Sequence, residues 1–314
     1  MPELPEVETV RRALARAAVG RRVASACALR PSVVKGVCTP KALLRGSTIA
    51  GVERLGKRLA ITTVEGRALD VHLGMSGQVL IERDEARLRA MTHVHVLWSL
   101  DAAPVGGEGV WVAFRDPRRF GGVRTFASLA RLRSEAWGAL GPDGATIDDA
   151  ALAAGLSGSH RAIKSALLDQ GVLAGVGNIY ADEALFEAGV HPLRAAGSLR
   201  PHEAAALGAA IRGVLARAIE AGGSSLRDYV APGGERGWFQ VSHAVYGRGG
   251  EACVRCGGAL RTLRVCGRTT VMCPRCQPKR GRRRGRLGGQ DGGLSTIPHH
   301  QVWTAGEAAH SSAE

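Results

Sequence analysis

Pro2-Glu3-Leu4-Pro5-Glu6-Val7-Glu8-Thr9-Val10-Arg11-Arg12 follows Met1 and opens the chain. Removal of Met1, which the small second residue favours, would leave a proline as the terminus. A terminal proline carries a secondary amine, the one backbone nitrogen that is a good nucleophile. An α-amino group titrates near about 7.7–8.0, so a useful fraction is uncharged at neutrality. Attack of such an amine on an aldehyde-like carbon gives an iminium directly, and the nearby carboxylates of Glu3 and Glu6 can move protons. Taken alone, Met-Pro reads as an ordinary start, and the two glutamates as an ordinary first helical turn. Residues 5–18 carry the helical pattern. Pro5 sits near the first turn, Glu6 and Glu8 suit its positive end, and Gly20 stops it. Val7, Val10, Leu14 and Ala18 form the apolar stripe. This helix would hold the amine in place, and its positive end would disfavour protonation there.

Working outward, the 314 residues are enough for two or three domains with a real core. Lys and Arg number 42 against 28 Asp and Glu, a net charge of +14. That balance points to a polyanionic partner, nucleic acid first. No segment is long and apolar enough to span a bilayer, and the acidic start is no signal peptide, so the expected compartment is the cytoplasm, with nucleoid association. Of seven cysteines, four lie in two Cys-x-x-Cys pairs, which in such a compartment favours a metal over disulfides.

From about 21 to 127 the chain reads as short strands between turns. Examples are Leu59–Val64, Leu69–Leu73, His93–Trp98 and Val110–Phe114. Regular turn spacing suggests a sandwich or barrel, and the lack of βαβ alternation excludes a doubly wound sheet. Residues 128–145 read as a Gly/Pro-punctuated connection. The period then turns helical over 147–154, 161–170, 178–188, 201–221 and 224–230. Residues 240–277 are a compact cysteine-rich unit. The tail from 278 begins with a basic run, Lys279-Arg-Gly-Arg-Arg-Arg-Gly-Arg286, loses all periodicity and reads as disordered. Such a tail is either a solvated end or a source of weak, salt-dependent attraction to DNA. The whole is an α+β multidomain chain, divided at 1–130, 131–239, 240–277 and 278–314.

Cys253-Val-Arg-Cys256 and Cys273-Pro-Arg-Cys276 stand 16 residues apart, the spacing of a structural zinc site. Four thiolates close the shell and leave no open position for catalysis. Between them, 260–265 and 269–272 read as two strands with Cys266-Gly267-Arg268 at the tip. Cys266 is a free thiol or, alternatively, a competing ligand. Cys27 and Cys38 read as ordinary small apolar residues.

The N-terminal run, Gly56-Lys57-Arg58, His72-Leu-Gly-Met-Ser-Gly77, Asp116-Pro-Arg-Arg-Phe-Gly121, Gly175–Tyr180 and the cysteine pairs together resemble the formamidopyrimidine-DNA glycosylase family. The resemblance runs to about Gln277. It implies an N-terminal β-sandwich with an N-terminal helix, a helix–two-turns–helix domain and a C-terminal β-hairpin zinc finger holding one structural zinc. It implies a monomer acting on damaged double-stranded DNA as a bifunctional glycosylase and abasic-site lyase of base excision repair. The implied substrates are oxidised purines, namely 8-oxoguanine and formamidopyrimidines. Pro2 would attack C1′ and Glu3 would transfer protons, while Glu6 would either assist or anchor the terminus. Lys57 and then Arg268 would serve the two eliminations. Met75, Arg118 and Phe120 would fill the hole left by an extruded nucleotide, with Arg118 on the orphaned cytosine. His93, Lys164 and Asn178 would contact DNA.

Read without the resemblance, several of these residues keep a second meaning. Lys57 is a solvated charge as readily as a proton donor. Met75 and Phe120 either fold back on the core or serve as a wedge between base steps. Gly175 and Gly177 make either a tight turn or a close backbone approach, and the helix start at Asn178 offers N–H groups to phosphate. Two rival functions stand beside the first. One is the related endonuclease VIII-like branch acting on oxidised pyrimidines, against which Leu4, the Met75, Arg118 and Phe120 set and the glycine-rich Ala231–Phe239 stretch argue. The other is a catalytically silent damage-binding protein.

Overall fold

Helix α1 (Leu4–Ala18) is the element on which two hydrophobic cores close. Val7, Val10, Leu14 and Ala18, all at most 2% exposed, pack into the N-terminal core, while Leu4 enters the core of the helical domain. Burial of each large apolar side chain contributes about 1.5–3 kcal/mol, so this one helix ties both halves together. The computed structural model describes residues 2–102, 108–224, 232 and 237–279. All but Ser224 of the expected helix over 224–230, most of the glycine-rich stretch after it and nearly all of the basic tail lie outside the described residues.

After α1 come β1 (Val23–Ala28), β2 (Val34–Lys35), β3 (Ile49–Leu55), β4 (Arg58–Thr63), β5 (Ala68–His72) and β6 (Gln78–Glu82). They are followed by α2 (Glu85–Ala90), β7 (Val94–Leu100), β8 (Val110–Arg115) and β9 (Gly122–Phe126). One sheet has the order β1-β7-β8-β6 and the other β2-β9-β5-β4-β3, with β2–β9 the parallel pair. Val96, Val112 and Phe114 from the first meet Leu59, Leu69 and Val71 from the second in one cluster, which makes the sandwich. Cys27 and Cys38 are both exposed.

Residues 128–145 are a correction. The expected bare connection contains α3 (Leu129–Leu132), which runs into a wide helical turn at Arg133–Trp137. Leu132 and Trp137 are buried with Ala60, Ala68 and Phe126 in a small core of their own. The Trp137 indole N–H donates to Asp70 Oδ1 at 2.9 Å. The glycines that follow masked this short apolar patch in the sequence.

The helical domain holds α4 (Asp149–Leu156), α5 (Ile163–Leu168), α6 (Asn178–Glu187) and α7 (Pro201–Glu220). The last unit is a hairpin of β10 (Arg261–Val265) and β11 (Arg268–Met272), turned by Cys266 and Gly267, both at positive φ. Its little core of Val245, Cys253, Leu260, Val271 and Cys273 is completed by Phe186 of α6. Glu183 of α6 accepts the main-chain N–H groups of Ala244, Val245 and Tyr246 at 2.8–3.0 Å, which fixes the entry to the hairpin. On the opposite side of α1, Glu8 pairs with Arg11, Arg12 and Arg54, and Arg54 continues to Asp143 at 2.5 Å.

Candidate active site

The two N-terminal carboxylates are buried and held by several donors each. Glu3 is 2% exposed, and its carboxylate accepts the N–H groups of Gly177 at 2.8 Å and Ile179 at 3.0 Å. These are orphan donors at the start of α6, where the helix dipole also favours negative charge. The N–H groups expected to face phosphate at this helix start are therefore occupied by the protein's own terminus. The partner that Gly175 and Gly177 let approach is likewise internal. A Cβ on Gly175 would meet Leu4 Cδ1 at 2.4 Å, and one on Gly177 would meet Glu3 Cδ at 2.3 Å. Glu6 is 1% exposed. Its Oε2 accepts the Glu3 N–H at 2.7 Å, and its Oε1 accepts Tyr180 O–H at 2.6 Å and Ser224 N–H at 2.7 Å. Burial and the neighbouring Glu3 raise the Glu6 pKa, and these donors oppose the rise. Pro2 is buried beside this pair in the chain with Met1 before it.

Lys57 sits in the two-residue loop between β3 and β4, with Leu55 paired to Arg58. The loop is clamped: Asp143 Oδ2 accepts the Gly56 N–H at 2.8 Å, and Arg54 Nη1 donates to the Gly56 carbonyl at 3.1 Å. The half-buried ammonium has its pKa lowered, by burial first; Glu3 and Glu6 oppose the shift and Arg268 adds to it. Lys57, Arg268 and the two glutamates thus share one electrostatic neighbourhood. A lysine pushed down in this way exchanges protons more readily near neutrality.

Two loops carry the candidate wedge. Ser76 Oγ donates to Asp116 Oδ1 at 2.6 Å, and Asp116 Oδ2 accepts the Gly121 N–H at 2.8 Å. The Arg118 N–H reaches Ser76 Oγ at 3.2 Å, so the loops bearing Met75 and Phe120 are stitched to each other. Phe120 is 56% exposed, with the Arg118 guanidinium stacked 4.9 Å from its ring centroid, and Met75 is half-buried. Phe120 therefore does not fold back on the core. An exposed ring on a braced turn is the shape of a wedge. His93, exposed and at positive φ, lies just before β7, and its carbonyl accepts the Asp116 N–H at 3.0 Å.

Lys164 is fully buried. Its ammonium pairs with Asp182 at 2.6 Å and donates to Thr270 Oγ1 at 2.7 Å. Asp182 also accepts the Val271 N–H at 3.1 Å. This ion pair therefore docks the hairpin onto α5 and α6. Asn178 contributes to the same seam, its side-chain amide donating to the Thr269 carbonyl at 3.0 Å. Arg268, at the start of β11, stands exposed at the tip.

The sulfur atoms of Cys253, Cys256, Cys273 and Cys276 all lie within 4.8 Å of one another. Two of the separations are 3.9 Å (Cys253 to Cys276) and 3.5 Å (Cys256 to Cys273). A tetrahedral zinc with bonds of about 2.3 Å needs sulfurs about 3.8 Å apart, so the set fits one Zn²⁺. Cys266 stands outside it, exposed and against the Ser165 hydroxyl.

Sequence reasoning missed several supporting groups. Tyr180 was visible only as the end of a glycine-rich run. Ser224, Asp182 and Glu183 carry no motif of their own, because most of their partners are 44 to 218 residues distant in the chain. His72 was seen as part of a turn, yet it is half-buried beside Arg58 and lines a cavity of about 280 Å³ with Lys35, Phe120 and Arg124.

A sandwich and a helical domain joined through one buried terminus, with a zinc-braced arginine hairpin, define a zinc-finger protein of the DNA-handling class. Comparison with known proteins makes this specific. Residues 1–123 match the formamidopyrimidine-DNA glycosylase N-terminal domain, 139–230 its H2TH domain, and 250–279 the zinc finger found in FPG and IleRS. The formamidopyrimidine-DNA glycosylase of Ruegeria pomeroyi is 41% identical over 290 residues, covering 88% of this chain and all of the relative. The Desulfitobacterium hafniense protein of the same name is 41% identical over 281 residues, with the same coverage. Among solved structures, the MutM (Fpg) protein of Thermus thermophilus matches with a TM-score of 0.76 at 38% identity, over 88% of this chain and 98% of that one. A Lactococcus lactis FPG mutant in complex with DNA containing Fapy-dG matches with a TM-score of 0.79 at 35% identity, over 88% of this chain and 100% of that one. The chain belongs to the formamidopyrimidine-DNA glycosylase family.

Among the described residues, no helix is long and apolar enough to cross a membrane.

Proposed function

We propose that this protein is a bifunctional DNA glycosylase and abasic-site lyase that excises oxidised purines from duplex DNA at the nucleoid, as a monomer. The observation that carries the reading is the burial of Glu3 and Glu6 directly behind Pro2, with Glu6 on the Glu3 N–H and Glu3 locked onto the start of α6. The net charge of +14 suits a duplex partner, and the Lactococcus lactis relative has been solved with Fapy-dG DNA and with abasic-site DNA.

With Met1 removed, the Pro2 nitrogen forms a bond to C1′ as the glycosidic bond breaks and the base leaves with the bonding electrons. Glu3 moves a proton to the sugar ring oxygen as the C1′–O4′ bond opens, which leaves an iminium between protein and sugar. Loss of a C2′ proton then expels the 3′ phosphate, and a second elimination expels the 5′ phosphate. Lys57 and Arg268 serve these two departures, Lys57 with its lowered pKa as proton carrier and Arg268 as phosphate partner. Met75, Arg118 and Phe120 occupy the space left by the extruded nucleotide and offset part of its lost stacking. Zinc supplies rigidity to the hairpin that carries Arg268.

The test is borohydride trapping on duplex bearing 8-oxoguanine opposite cytosine, with mass analysis of the N-terminus. A covalent adduct on Pro2, lost in Pro2→Gly, is expected. An intact Pro2 terminus with no adduct would refute the enzyme reading in favour of a damage binder. Preferential trapping on oxidised-pyrimidine duplex would move the protein to the endonuclease VIII-like branch.

A further inference from the structure

Behind Glu6 a buried polar chain continues past every group used above. Tyr180 (1% exposed) donates its O–H to Glu6, so its oxygen is left to accept. The neighbour able to donate to it is Ser224 Oγ, 3.3 Å away and 4% exposed. Ser224 Oγ in turn lies 3.1 Å from Nε2 of His243, which is 7% exposed. The His243 ring sits edge-on between Phe239 at 5.6 Å and Tyr246 at 5.5 Å, a site that a phenyl ring would fill without desolvating a polar group. What phenylalanine would not supply is a partner for Ser224.

We infer that His243 is a positioning residue for the reacting terminus, acting through Ser224 and Tyr180 on Glu6. The inference rests on the glycosylase reading above. Glu6 holds the N–H of Glu3, the amide next to Pro2, so the orientation of its carboxylate sets the seat of the nucleophile.

The chain has two states. Nε2 is the ring nitrogen within reach of Ser224 Oγ. In the neutral ring with its proton on Nδ1, Nε2 is an acceptor and draws the Ser224 hydroxyl proton toward itself. In the imidazolium Nε2 donates to Ser224 Oγ, and the hydroxyl proton turns to Tyr180, which strengthens the donor on Glu6. Burial lowers the His243 pKa, and Glu183 of α6 opposes it. Around the ring, Tyr246 packs edge-on, Arg248 donates to the His243 carbonyl at 3.4 Å, and Tyr180 and Glu6 lie beyond Ser224.

The experiment measures single-turnover excision from the 8-oxoguanine duplex between about pH 5.5 and about 9, bracketing the histidine range. It uses the zinc-loaded full chain and His243→Phe, Ser224→Ala and the double variant. Each single change is expected to lower the rate about 5- to 30-fold, the worth of one buried hydrogen bond. Affinity for a duplex holding a non-cleavable abasic analogue should stay within about twofold. A titration on the acid limb should be present in the unsubstituted protein and absent from all three variants. The double variant should be no slower than the slower single one, because both act through one chain. Rates and pH profiles matching the unsubstituted protein, or losses that multiply in the double variant, would overturn the inference. Where His243→Phe does not fold, Ser224→Ala decides, since it removes one oxygen and keeps the N–H that Glu6 uses. Failure of the unsubstituted protein to trap DNA would instead refute the glycosylase reading itself.

Discussion

Gly177→Ala should disable the protein through a single methyl group. Gly177 has φ −127° and ψ −156°, extended backbone open to alanine, so conformational strain is not the issue. The obstacle is Glu3: the new Cβ would lie 2.3 Å from its carboxyl carbon and 2.5 and 2.7 Å from its oxygens. The carboxylate must therefore swing off the start of α6 and release the N–H groups of Gly177 and Ile179. A hydrogen bond to a charged group contributes about 1.5–3 kcal/mol, so losing both costs the fold about 3–6 kcal/mol before relaxation. In rate, misplacing the proton carrier by the equivalent of one such bond is about 10- to 150-fold. Single-turnover excision, duplex affinity and chemical denaturation are measured side by side. A rate at least about tenfold lower with affinity nearly unchanged is expected, together with reduced stability. A folded Gly177→Ala protein that excises at the original rate would refute the claim that Glu3 works from this seat.

Glu8 gives a pH signature. Burial raises its pKa, but hydrogen bonds from Arg11, Arg12 and Arg54 outweigh this and hold it at about 2, against 4.5 when free. A depressed carboxylate stabilises above its unfolded pKa, so this contribution is complete above about 4.5 and lost as pH falls through about 2; discounted for solvent screening it is about 2 kcal/mol. Urea unfolding of Glu8→Gln should show that loss near neutrality and little difference near pH 2, and an unchanged difference at both would contradict it. Lys164→Met should cost about 3–5 kcal/mol by stranding Asp182, with partial recovery in Lys164→Met/Asp182→Asn. Weakened duplex binding with unchanged stability would instead support Lys164 as a DNA contact. Cys273→Ala should lose one zinc per chain and with it duplex binding, as metal analysis and a binding titration would show; retained binding would overturn the role of the hairpin.

The sequence announced whatever rests on local pattern. The stripe of α1, the sandwich strands, the four helices from α4 to α7 and the two cysteine pairs all obey a period or a fixed spacing. The groups that hold the site together were illegible because their partners are remote. Lys164 reads as a surface cation in Ile163-Lys164-Ser165 until Asp182 and Thr270 close over it. The glycines around 175–177 look like a cradle for an outside ligand, yet the occupants are Leu4 and Glu3 of the same chain. Trp137 was hidden among glycines, since a wide helical turn presents no repeating stripe.

The joint between the two large domains has a chemical meaning of its own. Glu3 can rest on α6 only when the sandwich and the helical domain have met across α1. A half-assembled chain, newly made or damaged, keeps its amine and its zinc cysteines but lacks the seat that arms them. On the proposed mechanism, folding itself sets the reacting group, and an incompletely folded copy would carry the amine without its proton carrier in place.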